Sequence, residues 1–182
     1  MLIGVLAGGR GQRMGGRDKA ALLAPGGAEA LLPRLLRLCR ELDLQAVVVG
    51  GAHAADVPLL PDEPAGIGPL GGLAALLAHA GERPALALAC DLPYLGAELL
   101  ARLAHAPSRA AVLAPRDRGS GKWQPLFARY DSPRVLPELR AAITAGTRSF
   151  QQLLGRLAVE DLVLSEAEHA QLRDWDSPDD MR

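Results

Sequence analysis

Short apolar runs alternate with longer helix-like segments along most of the chain, and this alternation constrains the fold more than any other feature. Residues 2–6 form a short apolar run followed by glycines, the pattern of a buried strand. Residues 28–42 carry leucines on one side and arginines on the other, which predicts an amphipathic helix. Further strands are predicted at 46–49, 57–60, 85–89, 110–114, 125–130 and 159–164, and further helices at 70–80, 98–106, 133–145 and 150–157. The alternation favours an α/β domain with a mainly parallel sheet, whose ligand site lies beyond the carboxyl ends of the strands.

Length, charge and cysteine content narrow the class of protein. A chain of 182 residues is long enough to bury its own core, so we expect a single domain over residues 1–182. The formal net charge of −1 gives no field that would collect nucleic acid or a membrane surface, and neither is an expected partner. Cys39 and Cys90 are too few and too far apart for a disulfide framework. With no apolar stretch of about 20 residues and no basic leader, we expect a cytoplasmic protein.

A glycine-rich segment follows the first predicted strand directly, with five glycines in nine residues. Glycine lets backbone N–H groups approach a phosphate closely, and Arg13 and Lys19 add the positive charge that a triphosphate needs. The spacing excludes a dinucleotide fingerprint, because Met14 stands where glycine is required. It also excludes a P-loop, because Arg17 follows Gly16 where lysine is required. The segment therefore predicts a triphosphate-binding loop of another kind; the alternative is a flexible, charged loop.

Residues 6–19 read Leu-Ala-Gly-Gly-x-x-x-Arg-Met-Gly-Gly-x-Asp-Lys, which resembles the signature of the molybdenum cofactor guanylyltransferases, the MobA-like NTP-transferases. Four more segments extend the resemblance over the whole chain: Gly-Pro-Leu-Gly-Gly-Leu at 68–73, Cys-Asp-Leu-Pro-Tyr at 90–94, Gln-Pro-Leu-Phe-Ala-Arg-Tyr at 124–130 and Asp-Trp-Asp-Ser-Pro-Asp-Asp at 174–180. The resemblance implies a three-layer Rossmann-like nucleotidyltransferase domain with a mainly parallel sheet. It also implies transfer of GMP from GTP to the terminal phosphate of molybdopterin or Mo-molybdopterin, with release of pyrophosphate. Molybdoenzymes or their chaperones are further implied partners.

Asp91 follows an apolar strand and is expected at the rim where α/β sites form. A Mg²⁺ ion that shares phosphate oxygens needs only one or two protein carboxylates. The resemblance implies that Asp91 is the ligand of a Mg²⁺ cofactor and is catalytic together with Arg13 and Lys19. It further implies nucleotide contacts from the start of the glycine-rich segment, namely Leu6, Ala7, Gly8, Gly9 and Lys19, and from Asp91. The alternative for Asp91 is a cap of a helix or turn.

Asp62 also follows a short apolar run. Guanine presents two adjacent donors, on N1 and N2, which one carboxylate can accept as a pair, whereas cytosine has no such pair. The resemblance places Asp62 at the guanine site. The alternative is a turn residue within Pro-Asp-Glu-Pro.

The resemblance implies that Arg148 binds the acceptor, and Asp174 and Asp176 are further candidates for that role; the alternative for Arg148 is a surface charge before a helix. The family usually carries asparagine at positions 174 and 176, and commonly at Gly50, so these positions depart from its pattern. Asp174 or Asp176 could instead be a second metal ligand, or could belong to a solvated acidic tail. Trp123 is predicted either to stack on the pterin ring of the acceptor or to cover the edge of the sheet.

Two alternative functions remain at this stage. The first keeps the chemistry and changes the substrates, either to CTP with molybdopterin or to another phosphorylated acceptor. The second is a non-catalytic carrier of the molybdenum cofactor, which would not need Arg13, Lys19 and Asp91 together. Release of pyrophosphate from an NTP distinguishes a transferase from a carrier.

Overall fold

The computed structural model describes residues 1–7, 19–27, 29–51 and 56–175. Within them seven strands form one sheet: β1 (Leu2–Leu6), β2 (Gln45–Val49), β3 (Leu59–Leu60), β4 (Ala85–Ala89), β5 (Val112–Ala114), β6 (Phe127–Tyr130) and β7 (Val159–Asp161). Their order is β3-β2-β1-β4-β6-β5-β7. Every neighbouring pair is parallel except those of β6, which runs antiparallel to β4 and β5. The predicted mainly parallel sheet is therefore confirmed, and all strands but β6 end at one edge, which we call the carboxyl edge.

Helices cover both faces of this sheet: α1 (Leu31–Glu41), α2 (Pro69–Ala80), α3 (Ala97–His105), α4 (Ser132–Thr144), α5 (Phe150–Leu154) and α6 (Glu166–Gln171). Side chains of β1 alternate between the faces, as the pleat requires. Ile3 and Val5 join the core beneath α1 and α3, whereas Leu2 and Leu6 join the core beneath α2, α4 and α5. The predicted three-layer, Rossmann-like architecture is confirmed.

The sheet and α2 pack closely at the middle of β1. A Cβ added to Gly4 would lie 2.5 Å from Cδ2 of Leu76, so a larger residue there would require the Leu76 side chain to shift within the core. Strand β1 is apolar apart from its glycine and is buried at every residue, as expected of a parallel strand covered on both faces of the sheet.

The register of the parallel strands aligns their ends. Leu6 pairs with Val49 on one side and with Ala89 on the other, and Val49 pairs in turn with Leu60. The residues that follow β1, β2, β3 and β4 therefore line one edge in that neighbourhood. Asp62 and Asp91 both lie in those following segments.

The boundaries differ from the prediction where the local backbone gives a reason. The helix predicted at 28–42 begins at Leu31, because the preceding segment forms a turn with Gly26 and Gly27 at φ of 93° and 72°. The helix predicted at 150–157 ends at Leu154, before Gly155. Helix α6 was not predicted, although Ser165 and Glu168 form a capping box at its start.

Candidate active site

The glycine-rich segment starts between the ends of β2 and β4. The N–H of Ala7 donates to the carbonyl of Val49 at 2.9 Å, and the carbonyl of Leu6 accepts from the N–H of Cys90 at 3.2 Å. Both Leu6 and Ala7 are buried. These bonds extend the ladder beyond the strands and hold the first two predicted nucleotide-binding positions at the centre of the carboxyl edge.

Gly8, Gly9 and Arg13 lie outside the described residues. Lys19 is described through its backbone, which begins the 3-10 segment Lys19–Ala21. Their predicted roles stay predictions.

Asp91 lies in the turn that follows β4 and is half-buried. The next helix, α3, has Gly96 as its N-cap, so Asp91 does not cap it. This excludes the helix-cap alternative for Asp91, while its place at the rim agrees with the expected position of a metal ligand.

Arg34 on α1 binds the segment that joins Asp91 to α3. Its Nη2 donates to the carbonyl of Leu95 at 2.7 Å, across 61 positions of sequence. Burial lowers the pKa of the Arg34 guanidinium, and its Nη1 is buried without a hydrogen-bond partner. A partly desolvated cation of this kind is costly to bury, and the bond to the Leu95 carbonyl offsets part of that cost. The residue was not predicted as functional, because no local pattern marks a contact over this separation.

Asp62 packs against the first turn of α2. A Cβ built on Gly72 would lie 3.2 Å from Asp62 Oδ1, 3.2 Å from Val49 Cγ1 and 3.3 Å from Leu6 Cδ2. The carboxylate of Asp62 and the side chain of Leu6 therefore converge on the same glycine. Asp62 and Asp91 follow strands that are three steps apart in the sheet, about 14 Å at ordinary strand spacing. The glycine-rich segment starts between them.

Each glycine of the segment 68–73 has its own structural reason. Gly68 is the N-cap of α2 and has a φ of 78°, a conformation that favours glycine. A Cβ on Gly71 would lie 2.5 Å from the carbonyl oxygen of Pro64. These glycines thus let the loop containing Asp62 lie directly against the start of α2.

The C-terminal segment returns to the Asp91 turn. Trp175 is 5% exposed, packs with Ala24 and Leu31, and meets Tyr94 edge to face at 6.3 Å. The backbone N–H of Trp175 donates to the backbone carbonyl of Asp91 at 3.4 Å. The chain up to Trp175 is therefore anchored at the site, and Asp174, whose side chain is exposed, is brought beside this turn. Asp176 lies outside the described residues.

Arg148 lies at the carboxyl edge beyond α4. Helix α4 follows the antiparallel β6, so it starts at the opposite edge and ends at this one. The exposed Arg148 donates through Nη1 to the carbonyls of Ile143 at 3.2 Å and Thr147 at 2.8 Å. In this arrangement the guanidinium covers the last carbonyls of α4, a favourable position for a cation, and keeps its remaining donors.

Trp123 is half-buried against the core on the α2 and α4 face. The side-chain amide of Gln151 accepts from the backbone N–H of Trp123 at 3.2 Å and donates to the backbone carbonyl of Trp123 at 2.8 Å. The Cζ atom of Arg116 lies 3.6 Å from the centroid of the indole ring. The packing favours the prediction that Trp123 covers the edge of the sheet, and Arg116 occupies one face of its ring.

Three further observations complete the description of the site and the chain. No group of three or more His, Cys, Asp and Glu side chains that could hold a metal ion occurs in the described part of the chain. Burial raises the pKa of Cys39 to about 12, so its thiol stays protonated at neutral pH and is neither a nucleophile nor a metal ligand. No helix among the described residues is long and apolar enough to cross a bilayer.

Comparison with known proteins identifies relatives over nearly the whole chain. The MobA-like NTP transferase domain matches residues 3–161. A molybdenum cofactor guanylyltransferase of Pseudomonas putida is 39% identical over 184 residues, which cover 96% of this chain and 92% of that protein. The crystal structure of molybdopterin-guanine dinucleotide biosynthesis protein A from Archaeoglobus fulgidus aligns with a TM-score of 0.82 at 25% identity, covering 100% of this chain and 95% of that one. A 2-C-methyl-D-erythritol 4-phosphate cytidylyltransferase of Thermus thermophilus shares the fold, with a TM-score of 0.70 at 19% identity over 100% and 94% of the two chains.

Proposed function

The chain belongs to the MobA-like NTP transferase family and is a nucleotidyltransferase, and from this premise we propose that it is a molybdenum cofactor guanylyltransferase. It transfers GMP from GTP to the terminal phosphate of molybdopterin or Mo-molybdopterin and releases pyrophosphate. The relatives that are similar over nearly the full length of both chains are named for this activity. The non-catalytic carrier is set aside, because the chain belongs to a family of transferases.

One arrangement supports this proposal best. Asp62 and Asp91 stand on the same carboxyl edge, on opposite sides of the point where the glycine-rich segment leaves β1. A nucleoside triphosphate has its base and its phosphates at opposite ends, and a binding site that separates a base-reading carboxylate from a phosphate-side carboxylate suits that shape. We assign the base to Asp62 and the phosphates to the glycine-rich segment with Arg13 and Lys19.

The reaction needs positioning and charge neutralisation more than it needs acid–base chemistry. A terminal phosphate oxygen of the acceptor attacks the α-phosphorus of GTP in line, the new P–O bond forms, and the bond to pyrophosphate breaks. The attacking oxygen is already anionic at neutral pH, so no general base is required. Backbone N–H groups of Gly8 and Gly9 hold the triphosphate, and Arg13 and Lys19 neutralise charge that develops on the leaving pyrophosphate.

Members of this family generally use a divalent metal, and we propose Mg²⁺ held by Asp91. The residues fit such an ion: one carboxylate stands at the rim, and the anchored C-terminal segment brings Asp174 to the same turn. A site with few protein ligands suits Mg²⁺, which usually keeps substrate phosphates and waters as its other ligands. When bound, the ion supplies Lewis-acid neutralisation of the α-phosphate charge.

The order of the strands divides the carboxyl edge into two halves. The nucleotide half comprises the ends of β3, β2 and β1 with Asp62, and the acceptor half comprises the β5–β6 loop, Arg148 and the end of β7. In-line attack requires acceptor and leaving group on opposite sides of the α-phosphorus, and we have assigned the leaving pyrophosphate to the glycine-rich segment. We therefore assign the acceptor to the second half, with Arg148 as its contact there and with Asp174, beside the Asp91 turn, and Asp176 as further contacts. Residues 1–182 then act as one nucleotidyltransferase domain, and a cytoplasmic setting suits a chain whose two cysteines, Cys39 and Cys90, are both buried and too few for a disulfide framework.

Transfer of CMP from CTP is the second candidate, because three positions depart from the guanylyl pattern. Gly50 has a φ of 71°, a conformation that asparagine also tolerates, so the backbone shape is kept while a side-chain contact is lost. Asp174 and Asp176 stand where the family usually has asparagine. None of these changes affects Asp62, which is the residue that would select guanine.

The test is release of pyrophosphate from GTP, CTP, ATP and UTP, each with Mg²⁺ and molybdopterin, alongside detection of the dinucleotide product. The expected result is release with GTP that depends on the acceptor. Release with CTP in preference to GTP would replace the base assignment and keep the transferase. No acceptor-dependent release with any of the four nucleotides would refute the proposed reaction.

A further inference from the structure

The acceptor half contains a layered pair of side chains that the proposed reaction does not yet use. Arg116 and Trp123 stand opposite each other on the β5–β6 loop as an antiparallel bridge. The guanidinium of Arg116 lies over the indole ring, with Cζ 3.6 Å from the ring centroid. We call this pair the Arg116–Trp123 platform.

Both residues of the platform make polar contacts with residues outside the pair. Gln151 on α5 makes two hydrogen bonds to the backbone of Trp123, one accepted and one donated. Arg116 donates through Nη1 to the carbonyl of Gly121 at 2.9 Å, and its Nε lies 3.7 Å from Oδ2 of Asp161. The guanidinium is therefore held over the ring by contacts along its edges before any ligand arrives.

One face of this platform remains open. The Arg116 side chain is 49% exposed although its inner face lies on the indole, so its outer face is turned to solvent. A planar guanidinium stacks on flat π-systems, and it does so best where its own plane is already fixed. The indole of Trp123 alone would be enough to cover the sheet edge. That role does not explain why the guanidinium of Arg116 is held over the ring.

The position of the platform matches the length of an acceptor. The strand end before Arg116, at β5, lies two steps from β4, about 10 Å from the strand that precedes Asp91. If the reacting phosphate is beside Asp91, the remainder of the acceptor extends across β6 toward β5. We propose that the outer face of Arg116 stacks on the planar heterocycle of the acceptor, the end that does not react; this inference rests on the proposed function. The indole supports Arg116 from behind, and Gln151 is a positioning residue.

The first experiment separates stacking from charge. Arg116→Lys keeps the positive charge and the reach to Asp161 but removes the plane, and Arg118→Lys makes the same change two residues away. Arg118 is 67% exposed and pairs with Glu166 at 3.1 Å, so it is a matched control in the same loop. Arg116→Lys should raise KM for molybdopterin about tenfold while KM for GTP stays within about twofold. Arg118→Lys should change neither constant by more than about twofold.

The second experiment tests Gln151 by exchanging its terminal NH2 group for an oxygen. Gln151→Glu replaces the N–H donor by an oxygen that faces the Trp123 carbonyl, whereas Gln152→Glu adds the same charge to an exposed neighbour on α5. Gln151→Glu should raise KM for the acceptor with little change in kcat or in KM for GTP, and Gln152→Glu should not. A phosphate-free pterin should inhibit the wild type competitively against molybdopterin and not against GTP, and this inhibition should weaken in Arg116→Lys.

The outcomes keep the two hypotheses apart. A wild type with no acceptor-dependent release of pyrophosphate would refute the proposed function. An active wild type in which Arg116→Lys and Arg118→Lys behave alike, or in which the pterin fails to compete, would overturn the platform and leave the reaction in place. Thermal unfolding within a few degrees of wild type excludes a general loss of folding in each variant.

Discussion

The two halves of the carboxyl edge hold their functional side chains in different ways. In the nucleotide half the main chain sets the positions: strand register aligns Asp62 with the end of β1, and Gly71 and Gly72 let its loop lie against α2. In the acceptor half side chains set the positions: Gln151 holds Trp123, and Asp161 faces Arg116. The difference indicates a site positioned by the main chain beside a site that single side-chain substitutions can alter.

The largest expected effect is at the junction of the two halves. Asp91→Asn keeps the shape of the side chain and removes its charge, so turnover should fall about 100-fold or more with normal folding. The matched control is Asp131→Asn at the opposite edge of the sheet, where Asp131 is the N-cap of α4 and accepts from the N–H of Arg134 at 3.3 Å. Asparagine caps about as well as aspartate, so this control should retain activity. The assay is release of pyrophosphate over a Mg²⁺ titration, and full activity of Asp91→Asn at ordinary Mg²⁺ would remove the metal role.

The sequence predicted the fold, whereas the side-chain contacts around the candidate site were not predicted, because they join residues that are far apart in the sequence. The strands 2–6 and 85–89 match β1 and β4 residue for residue, because buried parallel strands are continuous apolar runs. A glycine motif is typical of places where the main chain approaches another group closely, so it indicates a candidate binding site even when the side-chain contacts are unknown. The bond of Arg34 to Leu95 spans 61 positions and that of Gln151 to Trp123 spans 28, and no local pattern encodes either. The antiparallel direction of β6 was likewise not predicted, since a short strand carries no mark of its direction.

The second prediction tests base choice in the nucleotide half. If Asp62 accepts from N1 and N2 of guanine, GTP should bind about 10- to 100-fold more tightly than ITP, which lacks the 2-amino group. Asp62→Ala should remove most of this difference. Glu63→Ala, which deletes the exposed neighbouring carboxylate, should preserve it. Calorimetric titration of both nucleotides into the three proteins gives the ratio directly, and an unchanged ratio in Asp62→Ala would assign guanine recognition elsewhere.

The third prediction compares a glycine from each half. Gly71→Ala brings a Cβ to 2.5 Å from the Pro64 carbonyl, so the loop containing Asp62 must move. We expect a loss of about 1–3 kcal/mol in the free energy of unfolding and a severalfold rise in KM for GTP. Gly119→Ala in the acceptor half meets only Asp117 Oδ1 at 3.7 Å, an ordinary contact, and should change neither quantity. Equal effects at both glycines, measured by denaturant unfolding and initial rates, would contradict the proposed contrast.

The smallest expected effect is at Arg34, where a nucleotide-side helix supports the turn between the halves. Arg34→Met keeps the aliphatic length and removes the donor to the Leu95 carbonyl, which is costly because Leu95 is fully buried. It also removes a guanidinium whose Nη1 is buried without a partner, and this relieves part of the same cost. The two terms oppose each other, so the free energy of unfolding should fall by only about 1 kcal/mol. Turnover should fall about two- to threefold, because Asp91 loses a fixed neighbour but keeps its own carboxylate. The control is Arg40→Met on the exposed side of α1, which should leave both quantities nearly unchanged. A loss of stability with turnover intact would make Arg34 a structural residue alone, whereas the reverse pattern would identify it as a positioning residue for the Asp91 turn.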